Sequence, residues 1–303
     1  MIKLNTHSLF RFIGKNDLRR AIACEFHRTN KIKYRQMKKS LLALLVILLL
    51  SSCARVPISG RKQMNLLPNN MMMSMSLTNY QGILKESTVL SARHKHSEFV
   101  SKIGTKISTA AESYLKNNGK GKRVKGFKWE YNVIQDKVVN AWCMPGGKIA
   151  VYTGILPVTK DKYGMATVLG HEIAHAVAKH GNERMSQQLL VMLGGMSLEV
   201  AMQKEPEKTK NIFRAAYGVS SQLGTLAYSR KHEYEADKLG MVFMAQAGYD
   251  PAKAIDFWKR MQAMKDGASM PQFLSTHPSD ENRIKAMKEF LPKAQEYYKP
   301  KTK

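Results

Sequence analysis

The chain has 303 residues, with 49 Lys and Arg against 23 Asp and Glu, a formal net charge of +26, and 44% of its residues are hydrophobic. That hydrophobic content is enough to bury a core, which excludes disorder as the main state, and a single continuously apolar stretch excludes a many-helix transporter. The cysteines, Cys24, Cys53 and Cys143, are too few for a small protein held together by disulfides.

The N-terminal residues have the pattern of a targeting segment. Ten apolar residues at 41–50 follow two lysines and precede Ser51, Ser52 and Cys53. Ten residues are too few to cross a bilayer, which takes about 20, so the pattern predicts a secretory signal peptide. The four residues ending at Cys53 resemble the bacterial lipobox, which implies that Cys53 carries lipid and that residues 1–52 are removed. The alternative is an ordinary signal peptide with a chance cysteine.

The stretch before this signal does not resemble a domain. We expect translation to start at Met37, with residues 1–36 a wrongly assigned leader; the alternative is an unusually long basic leader from Met1. Residues 1–52 hold 11 Lys and Arg and 2 Asp and Glu, so their loss leaves 38 against 21, or +17. This charge favours anionic lipid headgroups or acidic partners. Nucleic acid, the usual partner of a basic protein, is not expected of an exported lipoprotein.

These features together predict a location. A lipid on Cys53 and the basic surface would hold the exported protein at a membrane. Because Ala54 rather than Asp follows the modified cysteine, the expected location is the outer membrane, facing the periplasm. The sequence does not determine the oligomeric state.

The chain after Cys53 mixes predicted helices with a few strands. Apolar residues from Phe99 to Tyr114 recur on one helical face, whereas Phe127 to Val133 alternate with polar residues, as in a half-buried strand. A Pro-Gly-Gly turn then precedes a second strand at 148–152. Helices on both sides of a small sheet predict an α+β domain.

A tether before the domain and a tail after it are predicted. Residues 53–76 begin with a stretch rich in Pro, Gly, Asn and basic residues, which predicts a tether. The domain itself is expected at 77–292. Residues 293–303 are Lys-rich and predict a frayed tail.

An HExxH motif stands at His171, Glu172 and His175, within a stretch at 165–178 that predicts a helix. Residues four apart lie on the same helical face, so both imidazoles can bind one zinc ion at about 2.0–2.1 Å. Glu172 flanks that metal without binding it and can take a proton from the bound water.

A site of this kind needs one more protein ligand and leaves the fourth position for water. His180 lies nine residues after His171, on the opposite side of an ideal helix, and we interpret it as a helix-end residue before a cap at Gly181. Glu233 and Asp237 lie four apart on a second predicted helix, so Glu233 can bind the metal and Asp237 can orient a ligand histidine. The alternative is an ordinary solvated helix face.

Three neighbouring residues are not expected in the site. His232 and Glu235 are interpreted as surface or local hydrogen-bonding residues, because Glu235 points away from the face of Glu233 and Asp237. Cys143 is interpreted as a small buried hydrophobe rather than a ligand.

Three blocks in this order resemble one protease family: HEIAHAVAKH at 171–180, YSRKHEYEADKLG at 228–240 and STHPSDENRI at 275–284. They are similar to the zinc metalloendopeptidases that include CAAX prenyl proteases, HtpX, BepA-like proteins and mitochondrial OMA-type proteases. The stretch NAWCMPGGKIAVYTGIL resembles that family's strand block, and the similarity runs from about Leu77 to Pro292. Since the transmembrane helices of the prenyl-protease and HtpX branches are missing, the chain resembles the periplasmic BepA-like branch most.

The resemblance implies a fold and a metal. The fold would be a mostly helical zincin (gluzincin) domain with a small antiparallel sheet beside the active-site helix. One Zn²⁺ per chain would be bound by His171, His175 and Glu233, with Glu172 as the catalytic base.

Three further residues follow from the same resemblance. Asp237 and Arg283 would support the ligands from behind. His277, in the His-Pro element, would either stabilise the oxyanion or close the site as a fourth zinc ligand; the alternative is a helix-capping or loop histidine without a role in the site. If it binds zinc, the water is displaced and the loop around it acts as a switch.

The predicted function is a zinc-dependent endopeptidase that hydrolyses peptide bonds of misfolded or stalled cell-envelope proteins. An extended substrate would pair as a strand along Ile149, Ala150 and Val151, with Gly146 and Gly147 leaving room for its backbone. One alternative is a zinc-binding chaperone or assembly factor for outer-membrane proteins with little proteolysis. A weaker one is a basic membrane-surface binder with a vestigial metal site.

Overall fold

The computed structural model describes residues 53–193, 207, 209, 211–212, 229–264 and 271–299. The chain divides between Cys53 and Ala54 into two units, and the elements below belong to the second unit apart from Cys53. The predicted signal peptide and the start at Met37 lie outside the described residues and stay predictions. Within the described ranges, no helix is both long enough and apolar enough to cross a membrane.

The secondary structure is mostly helical. The strands are β1 (Cys53–Arg55), β2 (Lys62–Met64), β3 (Glu130–Ile134), β4 (Ala141–Met144) and β5 (Lys148–Tyr152). The helices are α1 (Asn69–Glu86), α2 (Lys95–Asn117), α3 (Leu156–Thr159), α4 (Lys162–Ala178), α5 (His180–Leu193), α6 (Arg230–Gln246), α7 (Ala252–Ala263), α8 (Gln272–Thr276) and α9 (Glu281–Gln295). The predicted α+β class is confirmed.

The larger sheet has the strand order β3–β5–β4, with β5 parallel to β3 and antiparallel to β4. The sheet is therefore mixed rather than antiparallel. The turn from β4 to β5 needs glycine, because Gly146 and Gly147 have φ angles of 83° and 80°. A Cβ on Gly147 would also lie 2.7 Å from the Trp129 ring. These glycines thus shape the turn itself, which differs from the predicted role of making room for a substrate.

The central position of β5 corrects the predicted substrate strand. Ile149, Ala150 and Val151 pair with β3 on one side and with β4 on the other. Their backbone groups are used within the sheet, so they cannot pair with a peptide. Strand β4 has β5 on one side only among the described strands.

The predicted tether and residues 293–299 of the predicted tail are folded. Strands β1 and β2 form a two-stranded sheet, Val56 is buried in the main core, and α1 begins at Asn69. At the other end, Ala294 is buried and the Tyr297 ring lies 5.9 Å from that of Tyr114. The composition of these two segments is typical of linkers. It does not show that a few of their apolar side chains pack into the core.

Helix α4 runs through the centre of the domain. Its side chains are buried from Gly164 to Ala178, which is why its sequence is apolar or small on every face. Asp161 caps its start by accepting from the amides of Tyr163 and Gly164. At its end, Gln63 and Arg123 donate to the carbonyls of residues 178 and 177, which satisfies groups that have no partner within the helix.

Helices α4 and α6 meet at a crossing of two glycines. A Cβ on Gly170 would lie 3.1 Å from the Gly240 carbonyl oxygen, and one on Gly240 would lie 3.1 Å from the His171 amide nitrogen. The backbones can approach this closely only because neither residue has a side chain. The crossing therefore brings the HExxH helix and the helix of Glu233 into direct contact.

Candidate metal centre

The two histidines of α4 point one nitrogen each to the same place. His171 and His175 lie one turn apart and are almost fully buried, and their Nε2 atoms are 3.0 Å from each other. This is the arrangement that the four-residue spacing predicts on a regular helix.

Helix α6 supplies a carboxylate to the same place. Glu233 Oε2 lies 3.3 Å from His171 Nε2, and Glu233 Oε1 lies 3.4 Å from His175 Nε2. Glu233 is 1% exposed. Burial raises the pKa of this carboxyl, but nearby charges, above all that of Arg283, outweigh burial and hold the pKa well below its usual range.

His277 completes the group from the end of α8. Its Nδ1 lies 3.2 Å from Glu233 Oε1 and 3.2 Å from His171 Nε2, and its Nε2 lies 3.4 Å from Glu172 Oε1. His171, His175, Glu233 and His277 each offer one ligand atom, and these atoms all lie within 4.8 Å of one another.

The donor set fits zinc. Ligand atoms about 2.0–2.1 Å from a tetrahedral zinc ion are about 3.3–3.4 Å from one another, close to the 3.0–3.4 Å separations observed here. Imidazole nitrogen and carboxylate oxygen are also donors that zinc prefers. Because the donors are buried and already converge, a metal needs little rearrangement to bind.

Asp237 and Arg283 contact the candidate ligands His171 and Glu233, and their predicted role in supporting those ligands stays a prediction. Asp237 Oδ1 lies 3.0 Å from His171 Nδ1. Arg283 donates from Nη2 to Asp237 Oδ1 at 2.8 Å and pairs through Nη1 with Glu233 Oε2 at 2.7 Å. An ionised Asp237 can only accept hydrogen bonds, so His171 donates from Nδ1, which leaves Nε2 as the nitrogen that can bind a metal.

Glu172 lies at the side of the group. In the part of the chain that the structure describes, its Oε1 has no hydrogen-bond partner, although the Cys143 backbone amide bonds to the carboxylate and lowers its pKa. Burial is the larger effect and raises the pKa of Glu172 to about 8. A bound divalent cation is a large local charge that lowers such a pKa.

Sequence reasoning missed a second buried polar cluster beside the first. All three of its residues are buried: His180, which we interpreted as a helix-end residue, and His232 and Glu235, which we interpreted as surface or local hydrogen-bonding residues. His180 Nδ1 lies 3.0 Å from His175 Nδ1, and His180 Nε2 lies 3.0 Å from Glu235 Oε2. Burial lowers the pKa of His180 to about 4.

The local backbone explains why His180 was misplaced. Helix α4 ends at Ala178, the next residue Lys179 has a left-handed φ of 62°, and Gly181 lies within the next helix rather than capping α4. This reversal turns His180 back toward His175, which a continuous helix would not allow. The sequence did hold a hint of this cluster: His180 and Glu235 are close in sequence to the predicted ligands His175 and Glu233, and neither had been given a role.

Residues 101–291 match peptidase family M48. The chain belongs to this family. It is 34% identical over 248 residues to the mitochondrial metalloendopeptidase OMA1 of Schizosaccharomyces pombe, covering 79% of this chain and 67% of that protein.

Two further relatives show the range of the similarity. The mitochondrial metalloendopeptidase OMA1 of Saccharomyces cerevisiae is 31% identical over 257 residues, or 80% of this chain and 70% of that protein. The beta-barrel assembly-enhancing protease of Yersinia pestis is 22% identical over 161 residues, or 52% of this chain and 33% of that protein.

Family membership confirms the enzyme class and the cofactor: this M48 peptidase is a zinc metalloendopeptidase that acts on polypeptides. The predicted location is contradicted, because the relatives that cover most of the chain are named as mitochondrial proteases rather than outer-membrane proteins. Composition and a four-residue signal motif were a weaker basis for location than similarity over most of the chain.

Proposed function

We propose that this M48 peptidase cleaves unfolded or stalled polypeptides, with His171, His175 and Glu233 as zinc ligands and Glu172 as general base. The observation that carries the proposal is the convergence of three buried side chains, whose nearest donor atoms are 3.0–3.4 Å apart. They lie beside a carboxylate that has an oxygen without a hydrogen-bond partner in the described part of the chain. Cell-envelope proteins as the source of such polypeptides stay a prediction.

The chemistry divides between the metal and Glu172. Zinc, when bound, lowers the pKa of its water to about 7 and polarises a substrate carbonyl. Glu172 takes a proton from the attacking water and passes it to the leaving amine. Burial raises the pKa of Glu172 in the metal-free site, and a bound divalent cation would lower that pKa and favour the carboxylate form that accepts the proton.

The substrate would lie along β4 in an extended conformation. This strand is the one next to Glu172, since the Cys143 amide within β4 bonds to that carboxylate. An extended peptide adds to such a strand through backbone hydrogen bonds. The requirement for an extended peptide favours unfolded segments over folded surfaces.

The decisive experiment compares wild type with Glu172→Gln for bound zinc and for cleavage of casein. Loss of the general base should lower kcat by about 10²–10⁴-fold, while zinc stays at one per chain because Glu172 is not a ligand. Cleavage that survives in Glu172→Gln would refute the assigned base. Zinc without cleavage in wild type would instead favour the assembly factor.

A further inference from the structure

We propose that Arg61, Glu235 and His180 are positioning residues that fix which nitrogen of His175 carries its proton. Together they form a chain of contacts, the Arg61 relay, that runs from the segment between β1 and β2 to the back of the metal site. The proposal rests on His175 being a zinc ligand, as proposed above. Residues behind a ligand histidine fix its tautomer and ring orientation in metal sites generally.

The relay begins at a carboxylate whose acceptor positions are all used. Glu235 Oε1 accepts from Arg61 Nε at 2.9 Å and from the Ser59 hydroxyl, and Glu235 Oε2 lies 3.0 Å from both Arg61 Nη2 and His180 Nε2. Arg61 can only donate, and a carboxylate paired with it can only accept. His180 must therefore donate its Nε2 proton to Glu235.

The position of this proton determines the next one. A neutral imidazole has one N–H, so His180 Nδ1 is an acceptor when Nε2 donates. The atom 3.0 Å away is His175 Nδ1, which must then carry a proton and donate it. His175 Nε2 is left with its lone pair, and this is the atom that lies 3.0 Å from His171 Nε2 and 3.4 Å from Glu233 Oε1. The relay thus holds His175 in the only neutral tautomer that can bind metal through Nε2.

The two ligand histidines are supported by different means. His171 donates directly to a carboxylate, Asp237, at 3.0 Å. Among the described residues, His175 is linked through His180 to the carboxylate of Glu235. The relay therefore adds to the metal site a contribution from Arg61, which lies far from the HExxH motif in sequence.

A neighbouring pair in the same cluster is a matched control. Arg61 also donates to Glu183, at 2.6 and 2.8 Å, and Glu183 Oε2 lies 3.0 Å from His232 Nε2. Glu183 and Glu235 are equally buried, at 4% and 5% exposed. Among the contacts of the described residues, Glu235 leads to His175 through His180, whereas Glu183 leads to His232, which stacks on His180 with ring centres 4.6 Å apart.

The test measures zinc affinity of the full-length protein by competition with a chromophoric chelator. Glu235→Gln should weaken zinc binding about 10–100-fold, the usual effect of losing a residue behind a ligand. Glu183→Gln, which removes a similar ion pair, should leave zinc affinity within about threefold, a difference of under 1 kcal/mol. His180→Leu should weaken zinc binding as Glu235→Gln does. His180→Asn should recover most of that loss, because its side-chain oxygen can accept from His175 Nδ1.

Equal weakening in Glu235→Gln and Glu183→Gln would overturn the proposal, since the effect would then come from general stability. So would a His180→Asn variant no better than His180→Leu. If the variants do not fold, ¹⁵N NMR of the histidines in wild type decides: the proposal requires protons on His175 Nδ1 and His180 Nε2, and the opposite pattern overturns it.

Two other results would bear on the proposed function rather than on the relay. Zinc binding that survives in His175→Ala would refute the proposed ligand set, and cleavage in Glu172→Gln would refute only the assigned base.

Discussion

At the scale of single residues, Arg283 decides whether the carboxylates of the metal centre stay ionised while buried. Its guanidinium contacts both Glu233 and Asp237 and lies 3.6 Å from the centre of the Trp258 ring. Burial raises the pKa of Asp237, but the charge of Arg283 outweighs burial and holds that pKa below its usual value. Both acids are therefore held in the form that can bind metal or accept from a ligand histidine.

Replacing Arg283 by Leu should destabilise the zinc-free protein by about 3–5 kcal/mol, the cost of breaking a buried ion pair from one side. Arg283→Lys should cost less, because it keeps the charge but loses the planar fork. Urea unfolding with a chelator present measures both. A loss below about 1 kcal/mol in Arg283→Leu, the size of an average substitution, would contradict this account.

His277 has two candidate roles in the site, as a competitor for the metal or as a group that stabilises the oxyanion. Its Nδ1 lies among the ligand atoms, so we expect it to compete with substrate or water for the metal. In His277→Ala, casein cleavage should rise several-fold while zinc affinity falls. If His277 instead stabilises the oxyanion, cleavage should fall and zinc affinity should stay unchanged. Measuring both quantities on one preparation separates the two roles.

At the scale of elements, the crossing of α4 and α6 sets the distance between the histidines and Glu233. The contact at Gly170 and Gly240 is backbone against backbone, so a side chain there can be accommodated only by separating the helices. A shift of one helix would move Glu233 and Asp237 together relative to His171. The geometry of the metal site therefore depends on Gly170 and Gly240, although neither residue contributes a metal ligand.

Gly240→Ala should consequently weaken zinc binding by about tenfold or more and lower stability by about 1–3 kcal/mol, as overpacking does. Gly121→Ala is the control, because its Cβ would meet its nearest neighbour at 3.7 Å, an ordinary contact. Zinc titration and urea unfolding of both variants provide the comparison. Equal behaviour of the two variants would show that the crossing does not set the site.

At the scale of the whole molecule, the site ties distant parts of the chain together. Its residues come from α4, α6, α8 and α9, and the relay adds the segment between β1 and β2. A metal bound at their meeting point should stabilise the folded state, because the unfolded chain does not hold these groups together. The basic net charge, in contrast, bears on partners and solubility rather than on the fold.

Removing zinc should therefore lower the melting temperature. Free zinc at 100 times its Kd adds about 2.7 kcal/mol to the free energy of unfolding, which corresponds to roughly 5–10 °C for a domain of this size. Calorimetry with and without a chelator measures the shift, and magnesium should not restore it. The control is His171→Ala, which should melt at the same temperature in both conditions.

Much of the site could be predicted from local pattern. The spacing of His171 and His175, and of Glu233 and Asp237, is a property of a single helix, and helical geometry alone places each pair on one face. The α+β class likewise followed from periodicity. The resemblance to the protease family then added His277 and Arg283. These residues are distant in sequence from α4, and no periodicity within one helix or strand links them to it.

The sequence by itself thus determined which side chains share a face within one element and which chemistry they can perform. Only the tertiary structure decided that β5 is central rather than an edge strand, that residues 53–76 are folded, and that His180, Glu235 and Arg61 lie behind His175. These features depend on packing between elements distant in the chain: Arg61 and Glu235, for example, are 174 residues apart. Side-chain periodicity shows which face of a helix or strand is buried. It does not show which other element covers that face, because that depends on how the elements pack together.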